Sequence, residues 1–253
     1  MSQLFTTFLL QPIVNLLVWL YHIVPGQDVG IAIILLTIIV KLVLYPLTRA
    51  QIKQQRALHE IQPKIEEIRK RLKENKEEQA RELMALYAKE KVNPTASCLP
   101  LLIQLPVFIA LYQALTIGLT SKGLSMLYAF VPNPGVVDTR FLAIMDLSKP
   151  SYVLAVAAAL IQFFQTKQIL KPPAATIQPP PADVKEAPVA KDESMSAMMN
   201  KQMTYMMPVM TIVIGVTLPG GLTLYWLVMS ALTMLQQWLV MKKQPLKVSA
   251  QLQ

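Results

Sequence analysis

A lysine interrupts the most apolar stretch of this chain. Residues 31–47 read IAIILLTIIVKLVLYPL, and Lys41 is the only charged residue among them. A charge near the middle of a membrane span costs about 2.5–3.5 kcal/mol on insertion scales, so a retained one usually faces a polar cavity or a partner. The alternative is that Lys41 snorkels, because it lies only about 9 Å of helix before the end of the run.

The composition is that of an integral membrane protein. The chain has 253 residues, of which 53% are hydrophobic and only 15% charged, which is too apolar for an ordinary soluble domain. Each long apolar stretch is near the roughly 20 residues that a helix needs to cross a bilayer, although the fourth is short. These stretches are 31–48, 96–118, 151–170, 203–218 and 222–241. The sequence therefore predicts an all-α polytopic protein with five transmembrane helices.

Lysine and arginine are distributed in a way that predicts the orientation. Residues 1–30 contain neither, whereas 49–91 contain twelve. Because cytoplasmic segments carry the excess of basic residues, we expect the N-terminus outside and the C-terminus in the cytoplasm. Five spans require the same arrangement, which places 119–150 outside and both 171–197 and 242–253 inside. The net charge of +9 is then a topology signal, and no DNA partner is expected.

The N-terminal segment 1–30 is apolar but differs from the spans. Pro12 interrupts it, and Trp19 and Tyr21 are residues that favour the headgroup region. We expect an amphipathic helix that lies in the outer interface. The alternative is a kinked extra span, which would move the N-terminus to the cytoplasmic side and leave its lack of basic residues unexplained.

Residues 49–92 are rich in Gln, Lys, Arg and Glu, with apolar residues at helical spacing. Two helices that fold back near 74–76 would bury that apolar stripe between them, so we predict a cytoplasmic helical hairpin. Most of its charges fit solvated helix faces, and the basic surplus also suits anionic lipid headgroups or ribosomal RNA. The Pro- and Ala-rich segment 171–197 predicts a disordered linker.

Signatures of catalysis are missing from the sequence. It contains no GxSxG, HExxH, GxxxxGK[ST] or GxGxxG pattern. The single cysteine, Cys98, excludes an internal disulfide and a multi-cysteine metal site. We therefore expect a protein that is not an enzyme and has no cofactor.

The spans contain a sparse set of polar and aromatic residues. If they converge, they form a hydrophilic groove around one positive charge; each amide alone is more often an interhelical hydrogen bond. A small anion transporter or channel subunit and a membrane scaffold are alternative functions at this point. The residues are Thr37, Lys41, Gln104, Tyr112, Gln113, Gln162, Gln165, Thr223, Tyr225, Trp226, Gln236 and Gln237.

Four motifs, in this order, resemble the YidC/Oxa-type membrane protein insertases. They are LLTIIVKLVLYPLT, LHEIQPKIEEIRKRL, NPTASCLPLLIQLPVFIALYQAL and LPGGLTLYWLVMSALTMLQQ. The resemblance implies a five-span core in the bacterial plasma (inner) membrane, with a positively charged groove that is open to the cytoplasm and lipid and closed to the outside. It also implies partners: nascent membrane proteins, the ribosome, membrane lipids and, in some reactions, the Sec translocon.

By motif position, the groove charge of this family, usually an arginine, falls on Lys41. Lysine keeps the charge but lacks the planar, multi-donor guanidinium. Gln104 in LIQLP and Trp226 in LYW match groove positions of the family. We expect Thr37, Tyr112, Gln113 and Tyr225 to line the same groove. The resemblance further implies a short form without the large extracytoplasmic domain of many relatives.

Overall fold

The computed structural model describes residues 3–93, 99–118, 125–170 and 195–242, and most of them are helical. The helices are α1 (Gln3–Ile23), α2 (Val29–Val43), α3 (Tyr45–Glu60), α4 (Gln62–Arg71), α5 (Lys76–Lys89), α6 (Leu99–Gln113), α7 (Tyr152–Leu170), α8 (Met195–Gly215) and α9 (Gly220–Lys242). Strands β1 (Arg140–Phe141) and β2 (Met145–Asp146) pair antiparallel. A mainly helical membrane protein is thereby confirmed; Cys98 and most of the predicted linker and C-terminal tail lie outside the described residues.

Two helices of the described residues are long and apolar enough to cross a membrane. They are α1, with 21 residues, and α9, with 23. The bent pair α2 and α3 gives a third span if it is counted as one. Shorter apolar helices run over Leu102–Thr116 and Thr204–Gly215. Membrane-spanning helices are therefore present, and the count of five stays a prediction.

The predicted first span, 31–48, is not one straight helix. Helix α2 ends at Val43, and α3 starts at Tyr45 after a bend of 69°. Pro46 lies in the first turn of α3 and has no backbone N–H to continue the hydrogen-bond ladder of α2. Lys41 therefore lies about one turn before a sharp bend, which we call the elbow (residues 44–48).

Helix α1 packs along α2 and buries one side of its surface. A π-helical turn, Thr6–Leu10, immediately precedes Pro12, where the missing proline N–H makes a regular ladder impossible. Trp19 remains 45% exposed, whereas Tyr21 is buried. The interfacial position predicted for this segment stays a prediction, because length and composition alone also allow α1 to span.

Helices α4 and α5 form an antiparallel helical hairpin with a small core of its own. Ile61, Ile65 and Val92 are buried in it, against partly buried residues that include Leu83 and Leu86. The Asn75 carboxamide oxygen caps α5 by accepting from the Glu78 N–H at 3.1 Å, a typical N-cap contact. The chain folds back between Arg71 and Lys76, and the arm before this turn is itself divided at Ile61 into α3 and α4.

Residues 125–150, which we call the loop cap, close one end of the helices through specific contacts. The buried Asn15 of α1 accepts from the Tyr128 N–H at 2.6 Å and donates to the Met126 carbonyl at 3.1 Å. Asp28 caps α2 by accepting from the Ile31 N–H at 3.0 Å, and its other oxygen accepts from the Leu142 N–H at 2.5 Å. The cap is thus hydrogen-bonded to both α1 and α2.

The loop cap also fits closely against three glycines. At Gly30, an added Cβ would lie 2.1 Å from the Phe141 ring, so only glycine permits this approach of cap and α2. At the start of α9, the Gly220 N–H donates to the Lys149 carbonyl at 2.9 Å and the Gly221 N–H to the Leu147 carbonyl at 3.0 Å. These bonds satisfy N–H groups that a helix start leaves open.

Candidate functional site

Lys41 lies in the helix bundle with one uncharged partner. Its side chain is 8% exposed, and its Nζ donates to the Thr233 hydroxyl of α9 at 2.8 Å. Within the described residues, no carboxylate forms an ion pair with it. An ammonium has three donor hydrogens, so a single hydroxyl leaves capacity for an additional acceptor. Lys41 is therefore the strongest candidate for contact with a polar or anionic group.

Gln104 and Tyr225 are brought together, although they are 121 residues apart in the sequence. The Gln104 Nε2 donates to the Tyr225 hydroxyl at 2.6 Å, which joins α6 to α9. Tyr225 is only 2% exposed. Next to this pair, the rings of Phe108 and Trp226 meet edge to face with centroids 6.0 Å apart, a favoured aromatic geometry.

The other predicted residues occupy different environments. Thr37 is completely buried, and its hydroxyl donates to the Ile33 carbonyl of its own helix at 2.6 Å, which satisfies it locally. Tyr112 is 41% exposed and Gln113 is half-buried. Both follow Gln104 by about 12 Å along the helix axis, toward the loop cap. Whether the seven residues line one groove stays a prediction.

Several polar residues of the predicted spans hold helices together. Gln162 of α7 accepts a hydrogen bond from the Thr211 hydroxyl of α8, and the Thr223 hydroxyl of α9 donates to the Gly215 carbonyl at 3.2 Å. An interhelical hydrogen bond is the alternative role that the sequence predicts for each isolated amide. Gln162 makes such a bond, and Thr223 makes one through its hydroxyl.

Sequence reasoning missed Thr233 and Thr48 as parts of the site. Thr233 is the partner of Lys41, and Thr48 contacts Gln236 at the elbow. Threonines in helices commonly bond a carbonyl one turn earlier, and Thr233 also does so, to Met229 at 2.7 Å. A hydroxyl that serves two partners gives no distinct signal in the sequence.

Similarity to known proteins identifies the family. Two relatives are named "Membrane protein insertase YidC": one from Actinobacillus pleuropneumoniae serotype 3 (strain JL03), 35% identical over 92% of this chain and 36% of the relative, and one from Nitratidesulfovibrio vulgaris (strain DP4), 34% identical over 93% and 39%. The chain thus spans less than half the length of these relatives. The family model described as "60Kd inner membrane protein" matches residues 19–247. Because that match covers most of the sequence, the chain belongs to this family of YidC/Oxa-type proteins, as its motifs predicted.

Proposed function

We propose that this chain is a membrane protein insertase, which inserts nascent membrane proteins and helps them fold. The observation that carries the proposal is the buried Lys41 ammonium, held by a single hydroxyl inside a largely apolar bundle. Such a charge is costly in a bilayer unless it serves a pathway or a ligand. Two relatives of this chain are named insertases, and this function needs no bond-making chemistry.

The proposed arrangement has five spans: α2, the segment 96–118, α7, α8 and α9. The N-terminus lies outside with α1 in the outer interface, and the helical hairpin and C-terminus lie in the cytoplasm. The absence of lysine and arginine from residues 1–30 supports this orientation. The loop cap would then close the outer end, with Lys41 and the elbow toward the cytoplasm.

In the proposed mechanism, a short polar segment of the client enters from the cytoplasm. The Lys41 charge and the polar pair Gln104 and Tyr225 lower the cost of moving its polar groups into a layer of low dielectric constant. The apolar helix of the client then moves along exposed apolar side chains of α7 and α9, such as Leu160 and Leu235. Transfer of about 20 apolar residues into lipid supplies the driving force.

The proposed partners follow from the same arrangement. The helical hairpin extends from the elbow and exposes basic residues such as Lys70 and Lys76, which suit ribosomal RNA or anionic lipid. The ribosome would deliver clients directly, and the Sec translocon would share some of them.

The test replaces Lys41 and measures insertion of a single-span client with an acidic external tail into vesicles. We expect Lys41→Ala to lose most of the insertion and Lys41→Arg to retain it, because the charge is kept. Lys167→Ala is the matched control, since Lys167 is an exposed lysine that lies 4.5 Å from the Phe163 ring centroid.

If Lys41→Ala inserts the client as well as the parent at equal expression, the groove-charge mechanism is wrong for this protein. Anion flux through proteoliposomes that depends on Lys41, in the absence of insertion, would instead favour the transporter alternative.

A further inference from the structure

The elbow is held by a second helix. Gln236 of α9 is 4% exposed, and its Nε2 donates to the Tyr45 carbonyl at 3.3 Å and lies 2.9 Å from the Thr48 hydroxyl. Tyr45 and Thr48 form the first turn of α3, directly after the 69° bend. One buried amide therefore contacts both a backbone and a side-chain group of the turn that sets the direction of α3.

Two further contacts join the same stretch of α9 to the chain on either side of the elbow. Before the bend, Lys41 donates to Thr233 at 2.8 Å. After it, the Arg56 guanidinium donates to the Met241 carbonyl at 3.3 Å. The three attachment points on α9 lie within about 12 Å of helix. Helix α9 thus contacts α2, the elbow and the far end of α3 in order.

Helix α3 leads into the helical hairpin through Ile61, which is both the C-cap of α3 and the N-cap of α4. The direction of α3 at the elbow, together with the break at Ile61, therefore sets where the hairpin lies relative to α9 and to Lys41. Pro46 removes a ladder bond at the bend, so the angle between α2 and α3 is not fixed by continuous helical hydrogen bonds. Contacts from α9 supply the missing constraint.

We propose that Gln236 is a positioning residue that sets the angle at the elbow and so holds the helical hairpin in register with Lys41. The amide acts through Thr48 and the Tyr45 carbonyl and needs no contact with a client. This inference goes beyond the proposed insertase function, because it concerns the geometry of the chain itself and is testable without any client.

The experiment measures the distance between the hairpin and α7 by pulsed EPR in lipid nanodiscs. Spin labels replace two exposed lysines, Lys76 of α5 and Lys167 of α7. The only cysteine, Cys98, is changed to serine so that labelling is specific. We expect one narrow distance distribution in this parent, and a broader or shifted one in Gln236→Leu, which keeps the side-chain bulk but removes the amide.

Thr48 supplies a matched pair of variants. Thr48→Val removes the hydroxyl at nearly constant shape and should broaden the distribution, whereas Thr48→Ser keeps the hydroxyl and should restore the parent distribution. Gln165→Leu makes the same change as Gln236→Leu on α7, outside the elbow, and should leave the distance unchanged.

An unchanged distribution in Gln236→Leu, or equal broadening in Gln165→Leu, would overturn the proposal. If Gln236→Leu does not yield a monodisperse protein, the two Thr48 variants decide. Equal distance distributions for Thr48→Val and Thr48→Ser would then overturn the proposal. Insertion is measured in parallel. A parent that inserts no client would contradict the proposed function, whereas the EPR distances would still decide the role of Gln236.

Discussion

The loop cap and the elbow hold opposite ends of α2 and α9 by different kinds of contact. At the cap, the bonds to α9 join backbone to backbone, because the Gly220 and Gly221 N–H groups donate to carbonyls of the cap, while the Leu142 N–H donates to the Asp28 side chain. At the elbow, the contacts with α9 are made by side chains: Lys41 donates to Thr233, and Gln236 contacts the Thr48 hydroxyl and the Tyr45 carbonyl.

This difference has a physical consequence for movement. A bond between two backbone groups changes only when the chain itself moves, whereas a side-chain contact can exchange when that side chain changes rotamer. We therefore expect the elbow, more than the junction of the cap with α9, to depend on individual side chains such as Gln236.

The largest expected effect comes from filling the close approach at Gly30. In most helices Gly→Ala stabilises by about 1 kcal/mol, but here the added Cβ would meet the Phe141 ring at 2.1 Å. We expect Gly30→Ala to destabilise the protein, and Gly30→Leu to do so by about 3 kcal/mol, since overpacking forces backbone shifts. Melting temperatures in detergent measure both.

Phe141→Ala supplies the control for this clash. In the Phe141→Ala background, adding Gly30→Ala should cost less than it does in the parent, because the ring atoms at 2.1 and 2.5 Å are gone and only the residue 141 Cβ, at 2.8 Å, still lies close to the new Cβ. A double variant that loses as much further stability as Gly30→Ala does alone would show that the closeness of cap and α2 is not the cause.

A second test addresses the bond between the cap and α1. Asn15→Leu leaves the Tyr128 N–H without its acceptor, whereas the Met126 carbonyl keeps a donor in the Gln11 amide at 3.1 Å. Stranding such a group costs about 1–3 kcal/mol, so we expect a lower melting temperature and faster hydrogen exchange in peptides around 126–128. Exchange that stays at the parent rate would mean that Asn15 does not fasten the cap.

The helical elements could be predicted from the sequence because their signals are local. Apolar periodicity predicted two helices that fold back near residues 74–76, close to the turn between α4 and α5, but it did not indicate the break at Ile61. The bend at the elbow was missed, although Pro46 is visible, because the apolar run continues past it to Leu47. The cap was missed as a folded unit because its bonds reach Asn15 and Asp28, more than 100 residues earlier.

The candidate site was predictable in its charge but only partly in its contacts. Lys41 is unmistakable inside an apolar run, and motif similarity placed it at the groove charge of the family. Its contact with Thr233 could not be predicted, because it depends on how α2 and α9 pack across 192 residues of sequence. Gln104 and Tyr225 were both candidates, but nothing in the sequence indicated that they bond to each other.

A substitution near the elbow should change stability in the opposite direction from Gly30→Ala at the cap. Lys41→Met removes a buried charge with one neutral partner and keeps an unbranched side chain of similar length. Replacing buried charges by apolar groups is often neutral or stabilising, so we expect a gain of about 1 kcal/mol together with a loss of client insertion. A melting temperature that falls as far as in Gly30→Ala would remove the distinction between the two ends.

The smallest effect on stability should come from lowering the pH, and it should act through Asp146 of the loop cap. The carboxylate of Asp146 accepts from the Ser148 hydroxyl at 2.6 Å, the Ser148 N–H at 3.0 Å and the Thr139 hydroxyl at 2.9 Å. These bonds, that from the Ser148 hydroxyl first, hold the pKa of Asp146 below its ordinary value of 3.8. Since the folded-state pKa is the lower one, the contribution to stability is complete above about pH 4 and declines as the pH falls through the folded-state value.

Asp146→Asn tests this linkage, because an amide of the same shape cannot titrate. We expect the melting temperature of the parent to fall more steeply than that of the variant below about pH 4, with parallel curves at higher pH. The difference should be small, since the Asp146 side chain is 35% exposed and solvent screens its interactions. If the melting temperatures of parent and variant instead diverge between pH 5 and 7, another titrating group is responsible, because Asp146 is already fully ionised there.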